Sequence, residues 1–575
     1  MALILCVIAQ TWLSYVDSSL AFIGLDTADI SFRTDYSIRD PYRFDIVNDL
    51  LEKPLTSKAV VEGLAKKYWD MRDQGIESLI GLYGYEVKFK ADDFEKTLTD
   101  CHKELSMIYA NMPESLLYVF EELTRFDPGL TASIDEEKAE EKRYDSLCAY
   151  LNMHSTEIDY EHLFNVFLRL RYAVGEYSEW LAGISRERFM HGDIGSVLFY
   201  QEMDFGTVVI GDTGANFYND SFALIIDLGG NDIYDCPFRE KSFQMIIDIS
   251  GDDRYQGGDY AVAAGVTGIS IIIDEAGNDH YQAGCYSLGC GVYGCGMLVD
   301  KEGNDRYIGD TFTQGAGGFG IGILHDDQGN DVYEAALYAQ GFASTYGVGV
   351  LAERDGNDMY IIRPKYIDEI RYLDHYLSLS QGFTIGFRPD LSAGVGLILE
   401  RGGNDYYLSD IFGQGSGYWY GIGTIIEEKG NDSYVSYQYA QGSGVHIAIG
   451  LLIDQQGDDN YVAKGVAQGC GHDLAYGLLH DIGGDDSYVA FDLSQGAGNA
   501  NGIGFLIDET GDDSYSVKRT NNTQGHGDFR REYGSIGLLM DIEGDDVYVP
   551  DAQDSYLWKK GAYGLGIDWR NGDKE

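Results

Sequence analysis

One motif recurs twelve times in this chain, and the recurrence constrains its fold more than any other feature. In Asp454-Gln455-Gln456-Gly457-Asp458-Asp459-Asn460-Tyr461, an acid is followed by Gly, a pair of Asn or Asp residues, and then Tyr. Gln468-Gly469 comes next, then Gly477 and a short aliphatic run ending on Asp481, which opens the following copy. The turn glycines are Gly230, Gly251, Gly277, Gly303, Gly329, Gly356, Gly403, Gly430, Gly457, Gly484, Gly511 and Gly544. Most of their spacings are 26 or 27 residues, with exceptions of 21 at the start, 47 after Gly356 and 33 after Gly511. A unit this short cannot bury an apolar face alone, so the copies must stack on one another.

The period selects the kind of stack. It is shorter than a propeller blade and lacks the helix of ankyrin-type repeats. Aliphatic triplets such as Ile271-Ile272-Ile273, Leu397-Ile398-Leu399 and Leu451-Leu452-Ile453 are strand-like. Each is closed by an acid and a Gly-Asn-Asp type of turn, read here as a bend with φ > 0. One period then makes one coil of a parallel β-helix, and twelve coils at ~4.8 Å predict a rod of roughly 55–60 Å. Stacking aligns like residues. Tyr234, Tyr255, Tyr281, Tyr307, Tyr333, Tyr360, Tyr407, Tyr434, Tyr461, Tyr488, Tyr515 and Tyr548 form a column expected to pack. The Gln residues are placed for an amide ladder. Hairpins at the same turns would instead build an outer-membrane barrel of about 24 strands, but sustained outward apolar alternation is missing.

The first third of the chain follows different rules. Gly is sparse, and residues 157–180 carry Leu163, Phe164, Phe167, Leu168 and Leu170 at helical spacing. Ser133-Ile134-Asp135-Glu136 reads as a capping box. The expected fold class is therefore α+β multidomain: an α-helical domain over 24–200, then an all-β solenoid over 205–570 with about twelve coils of 26–27 residues. Residues 1–23 are an apolar segment that serves as a signal peptide or as a buried element. They lack the basic start of a signal, and Gln10, Thr11 and Asp17 interrupt them before a membrane span is reached.

Charge removes several function classes. The 575 residues hold 94 acids and 41 bases, a net of -53, which argues against nucleic acid and anionic membranes as partners. Residues 1–200 account for 35 acids and 20 bases, so most of the excess lies in the repeats. None of the eight cysteines forms a C-x-x-C pair, and Cys285, Cys290 and Cys295 read as small packed residues.

Two acid columns run through the repeats. The first is Asp232, Asp253, Asp279, Asp305, Asp331, Asp358, Asp405, Asp432, Asp459, Asp486, Asp513 and Asp546. The second is Asp227, Asp248, Asp274, Asp300, Asp326, Glu353, Glu400, Glu427, Asp454, Asp481, Asp508 and Asp541. Carboxylates one coil apart repel unless they are protonated, hydrogen-bonded or bridged by cations, and calcium accepts such oxygen-only surroundings. Each Asp also has the alternative of capping its own turn. Gly229-Gly230-Asn231-Asp232-Ile233-Tyr234 and Gly402-Gly403-Asn404-Asp405-Tyr406-Tyr407 resemble the calcium-binding turn of repeats-in-toxin β-rolls. That resemblance implies a Ca²⁺ ligand set made of the first Asp column. The repeat is also similar to a Gly/Asp-rich, Tyr-bearing repeat of secreted bacterial proteins, a similarity that brings no function.

Breaks in the array are the other place to look, since insertions loop out on one face. The insertion at 361–392 brings Arg371, His375, Tyr376 and Arg388, and the one at 516–533 brings Lys518, Arg519, His526, Arg530 and Arg531. Such groups would suit a β-helix lyase or hydrolase acting on acidic polysaccharide, with Arg neutralising a uronate and His or Tyr moving the proton. The leading expectation is instead a non-catalytic, extracytoplasmic scaffold or adhesion protein, secreted, periplasmic or at the cell surface. Its solenoid would be stabilised by calcium and would face a protein or polysaccharide surface.

Overall fold

The structure is a computed structural model that describes residues 11–32, 40–70, 72–86, 93–125, 134–235, 237, 239–530, 533–550 and 554–569. Ser133, and with it the expected capping box, lies outside the described residues, as do residues 1–10.

From Phe222–Asp227 to Ile536–Asp541 every coil contributes a six-residue strand, for example Ile269–Asp274, Cys295–Asp300 and Ile321–Asp326, and consecutive coils pair these in parallel and in register. Parallel pairing between coils rules out the hairpin barrel. A second strand carries the Tyr (Arg254–Gln256, His280–Gln282, Arg306–Ile308), and these form a thirteen-stranded parallel sheet with Tyr opposite Tyr. The rings stack at centroid distances of 4.5–5.0 Å along the whole column. One coil more than the twelve motifs is present at the start. Tyr218 stacks on Tyr234, in a turn from Asp212 that is one residue shorter than the others.

The six-residue strands are buried on both faces, as their unbroken apolar runs require. Alternate side chains such as Ile272, Leu298 and Leu324 pack inward against the Tyr column. The residues between them, such as Ile271, Met297 and Ile323, face outward into a core shared with the helices. Among the described residues eight α-helices form that outer layer: α1 (Thr11–Ala21), α2 (Asp45–Glu52), α3 (Ser57–Asp70), α4 (Arg72–Gly81), α5 (Phe94–Ile108), α6 (Ser115–Thr124), α7 (Ile134–His154) and α8 (Tyr160–Ala182). In α8 the expected Leu163, Phe164, Phe167, Leu168 and Leu170 are all buried.

The layer runs along the solenoid. Trp12 of α1 meets His480 edge-on, and Tyr15 packs on Trp569. Phe120 of α6 lies edge-on to Tyr293, Phe312 and Phe319, while the Tyr109 hydroxyl donates to the Tyr293 carbonyl at 2.8 Å. Short antiparallel strands close the stack: Phe189–His191 and Gly195–Met203 at its start, Leu557–Lys559 at its end. Closure of this kind removes long open edges that would template aggregation.

Two corner assignments differ from the sequence reading. The Gln residues do not form an amide ladder. Gln314 donates to the Tyr307 carbonyl at 3.0 Å, and Gln340, Gln381, Gln414, Gln441, Gln468 and Gln495 repeat the bond to their own Tyr. The Gln-Gly pair is a left-handed corner, with φ of 55° at Gln314 and 74° at Gly315, while the expected positive φ in the acid turn is found at only some of its glycines, such as 145° at Gly230 and 152° at Gly430. The turn glycines are required mainly by close stacking: a Cβ on Gly303 would lie 2.1 Å from the Gly277 carbonyl oxygen of the coil before.

Candidate metal centre

The two acid columns meet inside the turns. Every first-column Asp is at most 5% exposed. Its backbone N–H donates to Oδ1 of the next coil's first-column Asp, at 2.5–2.8 Å over eleven successive steps. The expectation that each Asp caps its own turn thus becomes a bond that staples neighbouring coils. The chain ends keep the pattern, with Asn216 donating to Asp232 and Asp546 to Asp554.

Second-column acids are held differently. From Tyr218 to Tyr515 the Tyr of each coil donates its hydroxyl to the acid that closes the coil, as in Tyr255 to Asp274, Tyr281 to Asp300 and Tyr333 to Glu353 at 2.6–2.7 Å. Tyr218 does the same to Asp227 and Tyr234 to Asp248. The other oxygen often takes a backbone N–H, such as Ser250 on Asp248 at 2.8 Å.

At least one oxygen per coil is left over. Oδ2 of all twelve first-column aspartates is buried and takes no hydrogen bond from an N–H or hydroxyl, and second-column oxygens such as Oδ1 of Asp300 and Asp454 are left in the same state. Second-column carboxyls stand beside these groups, Asp248 by Asp253 and Asp454 by Asp459, close enough to share a proton. Around Oδ2 the surroundings are oxygen. Asp248, Asp253 and Asp274 each offer a carboxylate oxygen within 4.8 Å of the others, and so do Asp274, Asp279 and Asp300, and Asp300, Asp305 and Asp326. The Cβ position of Gly303 lies 2.6 Å from both oxygens of Asp305 as well as beside the Gly277 carbonyl. Calcium–oxygen bonds of about 2.3–2.6 Å put two oxygens on one ion up to about 5 Å apart, so these triads match a hard cation in donor type and spacing.

Electrostatics make the same demand. Burial, and then the neighbouring acids, push the carboxyls far above their usual 3.8: Asp253 to about 7, Asp305 to about 8, Asp279 to about 9 and Asp486 to about 10. Asp300, Asp326 and Asp454 of the second column rise as well, first through burial. Two dozen carboxylates cannot all stay charged in such a spine, so protons or cations must balance them.

The insertion residues are engaged separately. Arg371 pairs with Asp368 at 2.8 Å and lies over the rings of Phe412 and Tyr439. His375 holds Asp410 at 2.8 Å and stacks on Tyr437 at 3.5 Å. Tyr376 gives its backbone N–H to Asp410, and Arg388 lies over Trp419. The Arg371–Asp368 pair lies within the insertion, and the other contacts pin it to the coils beneath. In the second insertion Arg519 pairs with Asp492 at 3.3 Å, and Arg531 lies outside the described residues. Cys290 and Cys295 are buried free thiols, as small packed residues should be, and Cys285 is half-buried.

Comparison of the chain with family models, with curated proteins and with solved structures returns no match. Among the described residues no helix is long and apolar enough to cross a membrane.

Proposed function

We propose that the chain is a non-catalytic, extracytoplasmic scaffold or adhesion protein whose solenoid is stabilised by calcium along the carboxylate spine. The observation that carries this reading is the buried Oδ2, without an N–H or hydroxyl donor, repeated in all twelve copies of the motif. Asp232, Asp253, Asp279, Asp305, Asp331, Asp358, Asp405, Asp432, Asp459, Asp486, Asp513 and Asp546 would supply the recurring ligand, helped by second-column carboxylates. Bound calcium would supply the positive charge that the spine lacks. The resemblance of the Gly-Gly-Asn-Asp turn to repeats-in-toxin β-rolls supports the choice of metal. Location follows from linkage: such a chain reaches full stability only where calcium is abundant, outside the cytoplasm. The test is to count bound metal by mass spectrometry after dialysis against calcium, and again after EGTA. Several calcium ions per chain in the first sample and none in the second support the proposal, and a metal-free, equally stable protein in both refutes it.

A further inference from the structure

The turns that enclose the spine also shape an open groove of about 1300 Å³ running from Gly230 to Gly430. Its floor is bare backbone, because a side chain at any of its turn glycines would strike the carbonyl of the coil before. Its wall is a ladder of exposed amides. Nδ2 of Asn304 donates to Oδ1 of Asn278 at 3.2 Å, and Asn330, Asn357 and Asn404 continue the series at 3.0, 2.9 and 2.7 Å. The same Oδ1 atoms also accept the backbone N–H of the next Asn, as at Asn278 and Asn304 at 3.1 Å. Each Oδ1 therefore has both lone pairs spent, while each amide nitrogen keeps a second N–H. From Asn278 to Asn404 the groove offers a straight row of donors, one per coil, at the 4.5–5.0 Å spacing of the Tyr column, and the row begins at Asp252, which accepts the Asn278 amide at 3.1 Å.

We propose that this groove is a track for an extended, uncharged polysaccharide lying along the solenoid axis. The proposal rests on the reading of the chain as a binding scaffold, and not on calcium. Three observations select the ligand. The free groups are donors, so the ligand must present acceptors at a regular interval. A peptide strand advances about 3.3 Å per residue and falls out of step with the coils, whereas a chain of pyranose rings repeats once per ring, close to one coil. Three acids on the lining, Asp252, Glu302 and Asp355, against one base, Lys429, together with the net charge of -53 disfavour polyanions. The amide row is bounded on both sides by Asp at the same position, Asp252 before Asn278 and Asp458, Asp485, Asp512 and Asp545 beyond Asn431, and none of these offers an amide donor.

The experiment is calorimetric titration of the full chain with cello-, manno- and chito-oligosaccharides of two and six units, and with polygalacturonate as the anionic probe. At least one neutral hexamer should bind at least tenfold more tightly than its dimer, because successive rings meet successive amides. The double variant Asn330→Asp and Asn357→Asp should lose at least tenfold in affinity with its melting temperature unchanged. The fold already tolerates Asp there: Asp485 donates its backbone N–H to Asp458 at 3.0 Å in the same ladder. Binding of none of the neutral hexamers, no gain with length, equal binding by the variant, or tighter binding of polygalacturonate would each overturn the assignment. Metal counted on the same samples keeps a failure of the calcium proposal separate from a failure of this one.

Discussion

Each Tyr of the inner column stacks its ring on the coils above and below and uses its hydroxyl to hold a buried acid. Tyr333, bonded to Glu353 at 2.7 Å, separates the two roles, since Tyr333→Phe keeps the ring and removes only the donor. Leaving a buried carboxyl without that partner should cost about 1–3 kcal/mol in urea denaturation; a loss near zero would mean the acid is solvated. Asp305→Asn distinguishes a metal ligand from a stapling residue, because the amide oxygen can still accept the Asp279 N–H, a bond of 2.5 Å. In EGTA the variant should be as stable as the parent or more so, having lost a buried charge, while in calcium it should bind at least one ion fewer. The Tyr and Asp columns were legible in the sequence because a fixed period makes register certain once coils stack. The Gln bond was not legible, because a stacked amide column and an amide bonded to its own strand share one sequence pattern. Nor was the reason for the turn glycines, which lies in contact with another coil.

The decisive element is the six-residue strand buried on both faces. Its uninterrupted aliphatic run gave no period from which to tell inside from outside, so the packing of the N-terminal helices onto the solenoid in one shared core was not legible. Phe120→Ala should therefore cost about 3–5 kcal/mol, although Phe120 lies in a helix and its partners Phe312 and Phe319 lie in coils. The same interface carries a pH dependence. His480 is fully buried under Trp12 with Nε2 on Glu509 at 2.8 Å, and Lys58 adds a further positive field. Burial first, and then Lys58, bring its pKa down from 6.5 to about 4. The folded state thus prefers neutral His480, so its contribution is complete above about 6.5 and is lost as pH falls toward 4. Protection factors of the amides in Thr11–Ala21, taken relative to the intrinsic exchange rate at each pH, should fall between pH 7 and pH 5, and His480→Gln should flatten that change.

For the whole molecule, the spine and the interface respond to pH in opposite directions. Spine carboxyls have folded pKa values raised to about 6 at Asp331 and about 10 at Asp486, so without metal their contribution is complete below about 4 and declines as pH rises through 6 to 10. A metal-free sample should melt at progressively lower temperature across that range, and calcium should restore more at pH 8 than at pH 6. An array of this kind gains stability roughly coil by coil, so many weak sites act together. A thermal melt at pH 8 with calcium titrated against EGTA, and bound metal counted on the same sample, tests the account most directly. The account expects a rise of more than about 10 °C with several calcium ions per chain. An unchanged melt with no bound metal would contradict it, leaving the aspartate columns as protonated staples between coils.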